Sequence, residues 1–380
     1  MQKRKQVLFI SFFLILIFPL LNGSLHIIKS GRLQGYYTDA ADVDFSWDKW
    51  FNATFSKNKS DYINDHFGFR EDFVRFSGQI DFTLFTKVNY GSAVIAKDHS
   101  LYYDNYIDDY IGKDFMGNDS ILHIMRKVKA IQDTLSHLGK SLIVVYVPSK
   151  AFYNSESMPE INKCYLGGKS NYSQFLKLGD SLHINQVDLN SWFISLRGKT
   201  QDSVFTKQGI HWTCYGAFLG ADSVARYIEK LKNISLPHPI FTKIEHTTKA
   251  IGTDNDMATI LNLALPVANE IFSYPLAVYD TDKIKQKLNI IFLGDSFVWT
   301  TIENGFMLNV YKEWQFWFYF KEVYYNKNNP HARDAKMENY DWKKALANSD
   351  CLVLMYTTAS LKDLGNGFID NAYEYYYPQK

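Results

Sequence analysis

The sequence predicts an α/β fold: a three-layer α/β/α arrangement around a parallel sheet, set behind an N-terminal membrane anchor. Three observations carry this prediction. Short, largely β-branched apolar runs recur from residue 142 onward, helical patterns lie between them, and a long apolar stretch follows three basic residues at the start. Strands that alternate with helices pair in parallel, because a parallel crossover needs a connection of helical length.

The anchor comes first in the chain. Lys3, Arg4 and Lys5 precede an almost unbroken apolar run from Val7 to Leu21, which extends to Ile28 with few interruptions. As a helix, residues 7–28 span roughly 33 Å, enough for a bilayer core. Basic residues before the span place the N-terminus inside and the body outside. The run also suits the apolar region of a signal peptide, although no small-residue cleavage site follows. Residues 1–28 are therefore expected to be a signal anchor or signal peptide. Either way the body is exported, and its chemistry is expected outside the cytoplasm.

Residues 29–100 read as a membrane-proximal region packed on the main domain; residues 45–75 are dense in aromatics and charges without clean periodicity. Residues 101–380 are expected to form the α/β/α domain. From Asn118 to Leu135, apolar residues recur at helical spacing and Gly139 ends the pattern. "SLIVVYV" (141–147) follows as a buried strand, and "HINQVDL" (183–189), "LNIIFLG" (288–294) and "DCLVLMY" (350–356) are three more. Tyr215 to Leu231 is helical between them.

Composition excludes several classes. The net charge of +1 supplies no field for nucleic acid, and nucleic acid is not an expected partner. Cys164, Cys214 and Cys351 are widely spaced, with no Cys-x-x-Cys pair, so neither a disulfide framework nor a metal site is expected. No cofactor is expected.

Ser296, in "FLGDSFVW", follows the third strand. Sites in doubly wound sheets form beyond the carboxyl ends of strands, so a tight turn here presents its hydroxyl. It is either a nucleophile or a helix cap. A serine nucleophile needs an adjacent base. Of ten histidines, His211 in "TKQGIHWTCYGA" is the candidate, in a polar loop before a helix with Trp212 as an apolar wall. A solvated bystander is the competing reading.

Several stretches together, "YINDHFGFRE" (62–71), "IAKDHSLYY" (95–103), "VPSK" (147–150), "GIHW" (209–212), "DNDMATILNL" (254–263) and "FLGDSF" (292–297), carry a resemblance. In their order, with His before Ser, the chain resembles the AlgX/AlgJ-type family of SGNH-hydrolase-like proteins, extracytoplasmic O-acetylation factors for bacterial exopolysaccharides. The resemblance implies a nucleophile at Ser296, a base at His211, a polysaccharide substrate, and an acyl group delivered by a membrane-bound O-acyltransferase. It implies an O-acetyltransferase or esterase located in the bacterial cell envelope. The alternative is a non-catalytic glycan-binding or assembly factor.

One departure supports that alternative. The family carries Asp-x-His-Trp, whereas this chain reads Gly209-Ile210-His211-Trp212. The acid holds the imidazole tautomer, and losing it costs roughly 10⁴ in rate. A backbone carbonyl beside Gly209, a substitute acid such as Asp188 or Asp202, or lost activity would each account for the change.

The remaining motifs have plainer readings. Lys150 either meets an acidic group of the substrate or is a solvated loop lysine. Asp254 and Asp256 lack the glycine and terminal glutamate of a calcium loop, so they are expected to cap the helix that follows. Asp295 positions Ser296 or caps the next helix. The backbone N–H groups of Ser296 and Phe297 are the expected oxyanion donors.

Overall fold

The computed structural model describes residues 2–35, 38–88, 91–159, 169–280 and 287–378; Cys164 lies outside them. The chain divides into two compact units: residues 1–91 with 258–267, and residues 92–257 with 268–380.

In the first unit, α1 (Gln2–Leu25) carries the apolar run, and its Arg4–Leu25 portion has the length and composition to cross a membrane. The aromatic and charged stretch after it is more regular than its sequence suggested. It forms α2 (Trp47–Phe51), α3 (Thr54–Asp65) and α4 (Arg70–Phe85). Ala53 and Phe69, both at positive φ, interrupt what would otherwise run on as longer helices.

The second unit is built on a seven-stranded sheet. Its strands, in chain order, are β3 (Ser141–Val147), β4 (Gln186–Asp188), β7 (Asn289–Gly294), β8 (Glu313–Phe318), β9 (Glu322–Tyr324), β10 (Ala335–Lys336) and β11 (Cys351–Thr357), counting β1 (Ala93–Ile95), β2 (Leu101–Tyr103), β5 (Pro239–Thr247) and β6 (Phe272–Tyr279) in two separate two-stranded antiparallel sheets. The spatial order is β10-β9-β8-β7-β11-β3-β4. All four predicted strands are present and pair in parallel, with β8 parallel to β7 as a fifth. The sheet is mixed, because the short β9 and β10 continue it in antiparallel fashion. β9 follows β8 through a turn too short for a crossover helix, and β10 pairs back on β9 after residues 325–334.

The central strands β3 and β11 are buried on both faces, which is why their sequences run apolar without alternation. On one face the helix Asn118–His137 lays Ile121, Met125, Val128, Ile131 and Leu135 against Leu142, Val144, Leu352 and Leu354. Near the other end of the chain, Phe368, Ile369 and Ala372 of the helix Phe368–Tyr376 join that core. The carboxyl ends of β7, β11 and β3 therefore emerge side by side, held rigidly from beneath.

Candidate active site

Gly294 ends β7, and Ser296 follows in right-handed helical conformation, one residue ahead of the helix Phe297–Glu303. Its hydroxyl makes no capping bond to that helix. The capping alternative is thereby removed. Asp295 holds the turn: one of its carboxylate oxygens accepts from the Phe297 N–H at 3.1 Å, and the other from the Thr357 N–H and hydroxyl, both at 2.7 Å. Burial raises the pKa of this carboxyl, while the bonds from Thr357 and Phe297 oppose the rise. Asp295 thus ties the ends of β7 and β11 together below Ser296. It also occupies the Phe297 amide, so that N–H is not available as the expected oxyanion donor.

His211 reaches Ser296 from the loop before the helix Cys214–Lys232, with Nε2 2.7 Å from Oγ. The imidazole is buried and lies against the Phe297 ring at a centroid distance of 4.6 Å. Trp212 is fully buried behind it, and its indole N–H donates to the Phe297 carbonyl at 3.1 Å. The wall expected at Trp212 therefore supports the site from behind and does not line it.

The carboxylate facing His211 belongs to Asp256. Oδ2 lies 2.6 Å from Nδ1, and Oδ1 accepts from the Ile210 N–H at 2.9 Å and the Met257 N–H at 2.7 Å. Two backbone donors hold one oxygen, which aims the other at the ring. Asp256 opens the short helix Asp256–Ile260, and sequence reasoning had assigned it only a capping role. Neither acid proposed as a substitute is near the imidazole. Asp188 accepts from the Tyr172 hydroxyl and caps the helix Leu189–Ser195 through the Ser191 N–H, and Asp202 is bonded to His246 and Ser273. The carbonyl of Gly209 is also committed, accepting from Lys150.

Gly209 has a physical reason in this arrangement, though not a positive φ. A Cβ there would sit 2.7 Å from the carbonyl oxygens of both Thr253 and Asp254. Only glycine lets the 251–257 segment pass this close, and that segment carries Asp256. Thr206 clamps the crossing, donating to the Asp254 carbonyl at 2.6 Å and accepting from the Gly209 N–H at 2.8 Å. Asp254 itself points elsewhere. It is buried beside Tyr274, and burial pushes its carboxyl up to about 7.

Lys150 meets no solvent and no open cleft. It is fully buried, and Nζ donates to the carbonyls of Leu101, Lys207 and Gly209 at 2.8–2.9 Å. Burial pulls its pKa down to about 7. Both sequence readings of Lys150 are corrected: it fastens the loop that leads into His211, because an ammonium with three donors can satisfy three converging carbonyls at once.

One residue escaped the sequence reading. Tyr319 follows β8, a strand that was not anticipated, and its hydroxyl lies beside Ser296, close enough for the Ser296 N–H and hydroxyl to oppose the rise in its pKa. Burial and the nearby Asp295 raise its pKa. Tyr319 and Phe320 both have positive φ, a conformation unusual for bulky residues and often retained at functional sites. The only signal available was the aromatic run "WQFWFYF", which carries no chemistry by itself.

Among the described residues, no group of three or more His, Cys, Asp or Glu side chains is placed to hold a metal ion. Cys214 and Cys351 are free, and burial pushes both thiols up to about 12.

A serine beyond the carboxyl end of a central parallel strand, with a histidine on its hydroxyl and a carboxylate behind the ring, defines an SGNH-hydrolase-like domain. The chain belongs to the AlgX family, described as "SGNH hydrolase-like domain, acetyltransferase AlgX", whose model matches residues 95–299, more than half of its length. Among solved structures, the O-acetyltransferase domain of Pseudomonas putida AlgJ is similar at 16% identity, over 75% of this chain and 99% of its own, with a TM-score of 0.48. Pseudomonas aeruginosa AlgX is similar at 16% identity over 73% of this chain and 66% of that one, with a TM-score of 0.42. Bacillus cereus PatB1 is similar at 11% identity over 64% of this chain and 91% of its own, with a TM-score of 0.40. No curated protein matches the chain significantly.

Proposed function

We propose that this protein is an extracytoplasmic serine O-acyltransferase, held at the membrane by its N-terminal helix, that acetylates hydroxyls of a bacterial polysaccharide. One observation carries the reading: Asp256, His211 and Ser296 form a continuous hydrogen-bonded line, 2.6 Å and 2.7 Å long at its two contacts, at a strand end. His211 Nε2 takes the Ser296 proton as Oγ attacks the acyl carbonyl of a donor, and Asp256 steadies the imidazolium that forms. The oxyanion of the tetrahedral intermediate takes hydrogen bonds from the Ser296 N–H and the Tyr319 hydroxyl, two groups beside Oγ whose contact with each other it displaces. The imidazolium returns its proton to the leaving group, which leaves an acyl-serine. A sugar hydroxyl then gives its proton to His211 and attacks the acyl carbonyl, so the ester passes to the glycan and Ser296 is restored.

Family membership supports acetyl as the group moved and a polysaccharide as the acceptor. The membrane helix supports a donor delivered at the membrane, such as by a membrane-bound O-acyltransferase. The competing reading, a non-catalytic assembly factor, rested on an absent acid, and the Asp256 carboxylate favours the catalytic reading instead.

The test is covalent trapping. A chromogenic acetate should acylate Ser296 and raise the intact mass by one acetyl group, with Ser296→Ala abolishing both labelling and turnover. Equal labelling of the Ser296→Ala protein would overturn the assignment.

A further inference from the structure

We propose that α4 lies on the outer surface of the membrane, with an apolar stripe of Phe73, Phe76, Ile80 and Leu84 resting among the lipid acyl chains beside the anchor. This rests on the reading of α1 as a membrane span.

The stripe follows from helical geometry. At 100° per residue, positions 73, 76, 80 and 84 fall within an arc of about 80°. Phe76 is 64% exposed and Leu84 69%, whereas Phe82, on the opposite side, is only 8% exposed. Away from the stripe, Gly78 faces Leu263 and Gln79 accepts from the Leu265 N–H at 2.9 Å, while Val74 and Phe85 are also exposed. No charged residue of α4 falls inside the stripe. A contiguous apolar face left in water is costly, and such faces mark interaction surfaces.

The occupant follows from where α4 is fastened. The loop entering α4 touches the apolar end of α1: Phe69 packs on Phe18 at 5.5 Å, and Gly68 and Gly23 approach so closely that neither has room for a Cβ. The chain leaving the anchor then runs along α4. Arg75 donates to the carbonyls of Gly31 at 2.7 Å and Arg32 at 3.0 Å, and Ser30 bonds to Asp72. Gly31 is six positions beyond Leu25, so the contact lies within about 20 Å of the end of the anchor helix. A helix held there presents its apolar face to lipid before any soluble partner can reach it.

The chemistry also selects the lipid component. The charged residues of α4 are Arg70, Glu71, Asp72, Arg75 and Asp81, which leave no basic face for anionic headgroups. Attraction is therefore to acyl chains, and a zwitterionic bilayer suffices. Two exposed aromatics of α2, Trp47 and Trp50, are of a residue type enriched at such interfaces.

The test uses the full chain in single-copy phosphatidylcholine nanodiscs. Nitroxide labels are placed one at a time at Leu14→Cys, Lys57→Cys, Phe76→Cys and Leu84→Cys in a background in which Cys164 and Cys214 are both replaced by serine, Cys351 being buried. Labels at 76 and 84 should collide with oxygen more than with an aqueous nickel complex, as the label at 14 does, and the label at 57 should do the reverse. Labels at 76 and 84 that behave like the one at 57, while 14 stays in lipid, overturn this inference alone. Labels at 76 and 84 shielded from both agents mean a protein occupant and also overturn it. A label at 14 that is water-accessible removes the anchor reading itself.

Discussion

The carboxylate of Asp256 lies 2.6 Å from Nδ1 of His211, although 45 residues separate the two in the chain. This contact places an acid behind the imidazole where the family's usual position, 209, holds glycine. The first prediction concerns it. Asp256→Asn keeps the shape but loses the charge and disturbs the tautomer. Turnover of an acetyl ester should fall by about 10³ to 10⁴, with little change in KM. A loss of less than fivefold would show that Asp256 does not act through His211.

Gly209→Asp restores the motif residue in the sequence but not in space. Its Cβ would meet two backbone carbonyl oxygens at 2.7 Å, and backbone yields less readily than a side chain. The 251–257 segment would be displaced, and Asp256 with it. Both Gly209→Ala and Gly209→Asp should lose about 2–3 kcal/mol of stability in denaturant titrations and should turn over more slowly than the native protein. A faster Gly209→Asp enzyme would contradict the loop crossing described above.

Tyr319→Phe removes one hydroxyl beside Ser296 and little else. Deleting an oxyanion donor typically costs on the order of 10²-fold in kcat with substrate binding nearly intact. The same variant should still be acylated at Ser296, only more slowly. If kcat is unchanged and KM rises, Tyr319 binds substrate and does not stabilise the oxyanion.

Asp109 gives the pH prediction. It is completely buried, and burial pushes its carboxyl up to about 8, only partly offset by the Thr358 hydroxyl. Between the ordinary value of 3.8 and about 8, the folded protein holds a proton that the unfolded chain releases. Its contribution therefore stabilises at low pH and is lost as pH rises through that window. Asp109→Asn mimics the neutral acid without titrating. Melting temperatures of the two proteins should agree near pH 4 and separate by several degrees at pH 8, with the variant higher. Parallel curves across the range would rule out a neutral buried Asp109.

Much of this protein was legible in its sequence because the features concerned are local. Apolar runs with β-branched residues marked β3, β7 and β11, and the period of Ile121, Met125, Val128 and Leu135 marked a helix, since strand and helix geometry repeats within a few residues. Ser296 stood out because a strand end lay just before it, and His211 because it sat in a polar loop ahead of a helix. The partners of those residues were decided only by the tertiary structure. Asp188, Asp202 and Asp256 look alike in sequence, each a carboxylate near the start of an element or in a polar stretch. The crossing of the 251–257 segment over Gly209 selects Asp256, and no spacing rule reports that crossing. Lys150 read as a surface residue until three carbonyls from two separate stretches, Leu101 and the 207–209 loop, converged on it. The Phe297 amide looked free until Asp295, itself held by Thr357 at the end of another strand, proved to occupy it. Each of these outcomes turns on which donor meets which acceptor after distant segments pack, and a hydrogen bond is decided within a few tenths of an ångström.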